Sequence, residues 1–179
     1  LEGGAGSVRM GYLEKLTPTW GHVSFCTFGV TVDGELEDAC SKMPGGVRRG
    51  NISEKELKAA LDRQGVADVD MWLDCRGLRD PQHDKNLRCH IGLHPGIIAE
   101  ITAHPRWRSF LLYVKHTLHD IKKRKSECIQ ISSSNSLPTL KLACYCKSGK
   151  HRSVAVAFIL KHILCVEATS VEEEITHLS

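Results

Sequence analysis

With 179 residues, 41% of them hydrophobic and 6% aromatic, the chain can bury one largely aliphatic core and is expected to form a single domain. A net charge of +3 excludes a uniformly basic nucleic-acid binder, so any such contact has to come from a local cluster. No apolar run approaches the roughly 18 residues of a membrane span, and the opening Leu1-Glu2-Gly3-Gly4 lacks the apolar core of a secretory signal. An intracellular, cytoplasmic protein is expected, beginning as a fragment or a processed chain.

Residues 1–21 hold many glycines without a sustained period and read as a poorly ordered lead-in to a domain over 22–179. From His22 to Val32, Val23, Phe25 and Thr27 alternate with Ser24, Cys26 and Phe28, which predicts a strand ending at the turn Asp33-Gly34. An inserted loop with Pro44-Gly45-Gly46 and Arg48-Arg49 follows as far as Gly50. Ser53 and Glu56 have the spacing of a capping box, with Ile52 and Leu57 placed as a hydrophobic staple, so a short helix runs to Arg63 and stops at Gly65. Val66 to Cys75 alternates Val69, Met71 and Leu73 with Asp68, Asp70 and Trp72, a second strand that delivers Asp74 and Arg76 at its carboxyl end.

Pro95–Ala103 and Trp107–Lys125 are predicted helices. The second carries Trp107, Phe110, Leu111, Val114, Leu118 and Ile121 on one face. Lys122, Lys123, Arg124 and Lys125 close it, where positive charge suits the negative end of the helix; a contact with RNA phosphates is the sharper reading of the same cluster. Ser132 to Ser136 form a flexible loop, and Pro138 ends it before a third strand, in which Leu140, Leu142 and Cys144 alternate with Lys141, Ala143 and Tyr145. A last core helix reaches Leu164, and Val171 to Leu178 is either an edge strand bearing His177 or an acidic tail. The sum is an α/β domain with a parallel or mixed sheet and helices on both faces.

The eight cysteines are scattered, several at apolar strand or helix positions, and no Cys-x2-Cys pair occurs. Reduced thiols packing as small hydrophobes are expected. Cys89, His90 and His94 lack a second paired element at zinc-finger spacing, so neither a metal nor another cofactor is expected.

Chemistry concentrates between the third strand and the last helix, in Cys146-Lys147-Ser148-Gly149-Lys150-His151-Arg152-Ser153. A strand that turns tightly into a helix aims unsatisfied N–H groups and the positive end of the helix dipole at one point, which favours a phosphate or carboxylate. Lys147, Lys150, His151 and Arg152 add cationic side chains, and Gly149 allows close backbone approach. Cys-x5-Arg-Ser is also the spacing of cysteine-dependent phosphatases, with Cys146 as nucleophile and Arg152 as clamp. A nucleotide P-loop fits less well, because Cys144 stands at its first glycine and His151 follows the lysine. The plainest alternative is a basic turn with solvated charges over a buried Cys146.

Cys-Lys-Ser-Gly-Lys-His-Arg-Ser resembles the Cys-Thr-Gly-Gly-Lys/Gln-His-Arg-Ser signature of the RapZ family's C-terminal domain. Asp74-Cys75-Arg76-Gly77-Leu78-Arg79-Asp80-Pro81 is similar to that family's Asp-x-Arg-x-Leu-x-Asn-Pro, and Leu87-Arg88-Cys89-His90-Ile91-Gly92-Leu93 to its Leu-Arg-x-x-x-Gly-Leu. The blocks keep their order and separation from Val23 to His177, without the family's N-terminal P-loop domain. Lys147-Ser148 in place of Thr-Gly, Asp80 in place of Asn, and Phe28-Gly29 without a following Lys-His-Gly depart from the pattern. The resemblance implies an α/β module that binds an amino-sugar phosphate in a regulatory role, in some members with contacts to small RNAs. It further implies that Lys147, Ser148, His151 and Arg152 hold the phosphate and that Arg76 reaches the same pocket; Arg88 either completes it or braces its loop. Catalysis is not implied.

Overall fold

The structure is a computed structural model and describes residues 19–30, 53–131 and 136–178. Five strands, β1 (Trp20–Gly29), β2 (Met71–Asp74), β3 (Thr139–Cys146), β4 (Ala168–Val171) and β5 (Thr176–Leu178), form one wholly parallel sheet in the order β2-β3-β1-β4, with β5 also on β1. Since β3 lines β1 from His22 to Gly29, β4 and β5 share the opposite side of β1. They pair with its first and second halves in turn.

Alternation along the strands sends side chains to two separate cores. Val23, Phe25, Met71, Leu73, Leu140 and Leu142 face α2 (Pro95–Thr102), α3 (Trp107–Ile131) and α4 (Arg152–Leu164). Cys26, Phe28, Ala143 and Tyr145 face α1 (Glu54–Arg63) through Leu57, Ala60 and Leu61. The α/β class with helices on both faces thus follows from period-2 strands with two apolar sides.

α1 begins on the expected capping box. Ser53 Oγ accepts from the Glu56 amide at 3.3 Å, and Glu56 Oε2 accepts from the Ser53 amide at 2.7 Å. These bonds to Ser53 hold the Glu56 carboxyl below its usual range. Gly65, at φ 74°, follows the helix end. Ile52 of the expected staple, the Asp33-Gly34 turn, the inserted loop through Gly50 and Ser132–Asn135 lie outside the described residues.

Three boundaries differ from the sequence reading. β1 starts at Trp20, two residues early, because Trp20 pairs with Ala168 and its indole is buried. β2 is confined to Met71–Asp74: Asp68 takes φ 58°, which breaks the extended run, and the Asp70 carboxylate bonds the Lys141 amide at 2.9 Å. α3 does not close at Lys122–Lys125 but continues to Ile131. No glycine or proline follows the basic cluster until Pro138, and Lys125 is drawn sideways into an ion pair with Asp70 at 2.7 Å. The acidic-tail alternative at the end gives way to β5, where His177 Nδ1 meets Thr27 Oγ1 at 2.6 Å. Among the described residues no helix is long and apolar enough to cross a membrane.

Candidate anion site

All five strands run the same way, so their carboxyl ends share one edge. α1, the next described helix after β1, packs on one face of the sheet, and α4, which follows β3, packs on the other. Ligands of parallel sheets gather at this edge. Here two glycines bring the ends of β1 and β3 together. Gly149 has φ 71°, and a Cβ on it would come within 2.6 Å of the Gly29 amide nitrogen; one on Gly29 would meet the Ser148 carbonyl carbon at 2.4 Å. The loop after β3 therefore rests on the β1 backbone itself, and a side chain at either position would lift it.

Three consecutive side chains of the loop reach backward to other loops. Lys150 Nζ donates to the Arg88 carbonyl at 2.9 Å. His151 Nε2 donates to the His90 carbonyl at 2.9 Å. Arg152 Nη1 donates to the carbonyls of Arg76 at 2.9 Å and Leu78 at 3.4 Å, while its Nη2 pairs with Asp80 Oδ2 at 3.0 Å. Gly92 completes the seam: its amide donates to the Lys150 carbonyl, and a Cβ there would lie 2.2 Å from the His151 carbonyl oxygen. These contacts fasten the two segments after β2, Arg76–Asp80 and Arg88–Gly92, to the start of α4.

The expected site residues accordingly divide into two groups. Lys150, His151 and Arg152 are turned to the segments after β2, whereas Lys147, Ser148 and Arg88 are exposed. The amides of Ser148, Gly149 and Lys150 donate to no backbone carbonyl among the described residues. His151, at the N-cap of α4, makes no side-chain capping bond, so the first turn presents its N–H groups toward the loop. Burial pushes the His151 imidazole below its usual pKa despite the carbonyl bond from His90, which leaves the ring neutral at pH 7.

Arg76 reaches the seam through its carbonyl, and its guanidinium turns to the α1 face. There it sits 5.5 Å over the Tyr145 ring, which stacks on Phe28. Asp74 clamps it through Oδ1 to Nε at 2.9 Å and Oδ2 to Nη2 at 2.7 Å, and also caps the Arg76 amide at 2.9 Å. Asp74 thus fixes its own loop, and burial with the Asp74 charge raises the Tyr145 phenol pKa.

Cys146 is buried, with Sγ 3.3 Å from Ser153 Oγ. Ser153 Oγ donates to the Gly149 carbonyl at 3.3 Å, so it receives the Cys146 S–H, and the two residues stitch strand, loop and helix together. With its thiol in the core and Arg152 spent on carbonyls and Asp80, the Cys-x5-Arg spacing serves packing, and the geometry favours binding over thiolate chemistry. Elsewhere in the sheet, burial pushes the Cys26 thiol up to about 12 and raises Cys75 well above the thiol range. The part of Asp80 went unseen in the sequence, because its partner stands 72 residues on. The glycine of Leu-Arg-x-x-x-Gly-Leu was the available signal for the Gly92 seam.

A parallel sheet with helices on both faces and a braced glycine turn before a helix defines an α/β domain. The family model described as the RapZ C-terminal domain matches residues 61–179. The chain belongs to that family. A nucleotide-binding protein of Haemophilus influenzae strain Rd is 31% identical over 114 residues, covering 61% of this chain and 37% of the relative. A nucleotide-binding protein of Deinococcus radiodurans is 29% identical over 108 residues, covering 60% and 35%. The chain spans roughly a third of the length of these relatives.

Proposed function

We propose that this domain is a regulatory binding module that recognises a phosphorylated small molecule, of the amino-sugar phosphate class, at the loop Cys146–Ser153. The observation that carries the proposal is the bracing of that loop. Lys150, His151 and Arg152 each hold a backbone carbonyl of another segment, so the turn is pre-organised and a phosphoryl group pays little to order it. Ser148–Lys150 amides and the α4 terminus supply neutral donors, with Lys147 and Arg88 at the rim. Family membership supports the regulatory role and the small-molecule ligand.

The test is thermal unfolding with an amino-sugar phosphate, the corresponding sugar phosphate, the free amino sugar, inorganic phosphate and nucleotides. A ligand selective for the folded state raises the melting temperature. The amino-sugar phosphate should raise it most and the free amino sugar least. A panel in which phosphorylation makes no difference would refute the proposal, and a response limited to nucleotides would replace its ligand class.

A second reading, contact with RNA, is favoured by one observation. A cavity of about 670 Å³ beside β2 brings Arg124 and Lys125 together with Trp72 and Tyr113, joining cations to aromatic rings that stand far apart in sequence. Aromatic faces beside phosphate-neutralising cations suit single-stranded RNA. Affinity for a single-stranded RNA should weaken with rising salt and weaken further in Arg124→Ala and Trp72→Ala; indifference to both substitutions would remove this reading.

A further inference from the structure

We infer that Asp80 is a specificity-determining residue of the anion site, a built-in counter-anion that holds down the preference for doubly over singly charged phosphoryl groups. The inference rests on the anion-binding reading above and concerns the charge of the group accepted there. Three arginines of the segment after β2 and of the α4 start are each matched with a carboxylate: Arg76 with Asp74 at 2.7 Å, Arg79 with Glu100 at 2.9 Å, and Arg152 with Asp80 at 3.0 Å.

The three pairs are not equivalent. Arg79–Glu100 is an exposed pair, and its field is screened by water. Arg76–Asp74 lies toward the α1 face over Tyr145. Asp80 alone binds the first residue of α4, on a guanidinium that is only 9% exposed while the carboxylate remains 27% exposed. An anion arriving at this helix terminus is drawn by the N–H groups, and it meets the resident negative charge of Asp80 on the arginine that opens the helix. Asp80 also acts on His151, where its charge partly offsets the effect of burial.

Repulsion from a fixed unit charge scales with the charge of the ligand. Asp80 therefore penalises a dianionic monoester about twice as strongly as a monoanionic diester, and removing it should widen the gap between them. Its geometric part is separable, because an asparagine at this position keeps an oxygen for Arg152 while the charge is removed.

The experiment measures binding of methyl phosphate and dimethyl phosphate, at a pH where the monoester is doubly charged, to the parent chain, Asp80→Asn and Asp80→Glu. In Asp80→Asn the affinity for methyl phosphate should rise on the order of tenfold and that for dimethyl phosphate on the order of threefold, so that their ratio increases. Asp80→Glu, which restores the charge, should return the ratio toward the parent value. A ratio unchanged in Asp80→Asn, with both ligands still bound, overturns the role of Asp80 and leaves the anion site standing. Equal weakening of both ligands would make Asp80 a purely structural strut and likewise overturn the inference. Binding of neither ligand to any of the three proteins would instead remove the anion site itself.

Discussion

His151 illustrates how a side chain can belong to a signature and still be turned into the fold. The sequence counts it among the cationic side chains of the loop; the fold buries it, commits Nε2 to the His90 carbonyl and lowers its pKa. The neutral ring is then the folded form, while the unfolded chain takes up a proton near the ordinary histidine value of about 6.5. This contribution to stability is complete above that value and is lost as pH falls from it toward the lower folded value. In His151→Gln, whose amide can still donate to the carbonyl but does not titrate, the fall in urea midpoint between about pH 7.5 and about pH 5.5 should be smaller than in the parent. An equal fall would acquit His151. The types of residue in this loop were legible in the sequence, but the directions of Lys150, His151 and Arg152 were not. Their acceptors are mainly backbone carbonyls more than 60 residues away, and a carbonyl is present at every position of a chain.

Among the elements, α1 was the most readable, because its start is encoded by two residues three apart that bond each other's backbone. The end of α3 was not. A basic cluster suits a helix terminus, yet that preference amounts to fractions of a kilocalorie, and the tertiary partner of Lys125 outweighs it. Its Nζ lies 2.7 Å from Asp70 and 2.8 Å from the Thr139 carbonyl, tying the middle of α3 to the beginnings of β2 and β3. Lys125→Met leaves the half-buried Asp70 carboxylate with the Lys141 amide and without its counter-charge. We expect a loss of about 1–2 kcal/mol after allowing for partial solvent screening, against under about 0.5 kcal/mol for Lys123→Met at an exposed position. Equilibrium urea unfolding measures both; equal effects would mean that the ion pair contributes nothing to the docking of α3. The result also bears on RNA contact, since weakening by substitution of Lys125 would mix lost charge with a loosened helix.

At the scale of the whole molecule, strand periodicity was enough to predict an α/β domain with helices on both faces. Periodicity says nothing about which strands adjoin. The neighbourhood of β1 and β3 is fixed by registry across more than a hundred residues and by the close approach of Gly29 to Gly149.

The far side of β1 has its own consequence. β4 and β5 cover it in two pieces of four and three residues, with Glu172–Ile175 between them, while β2 at the opposite margin contributes only four. Another polypeptide seeking to zip along either border would find a few rungs and then nothing to grip. Among the described residues, the loops of the carboxyl edge rest on a central pair of long strands without offering neighbours a ladder to climb.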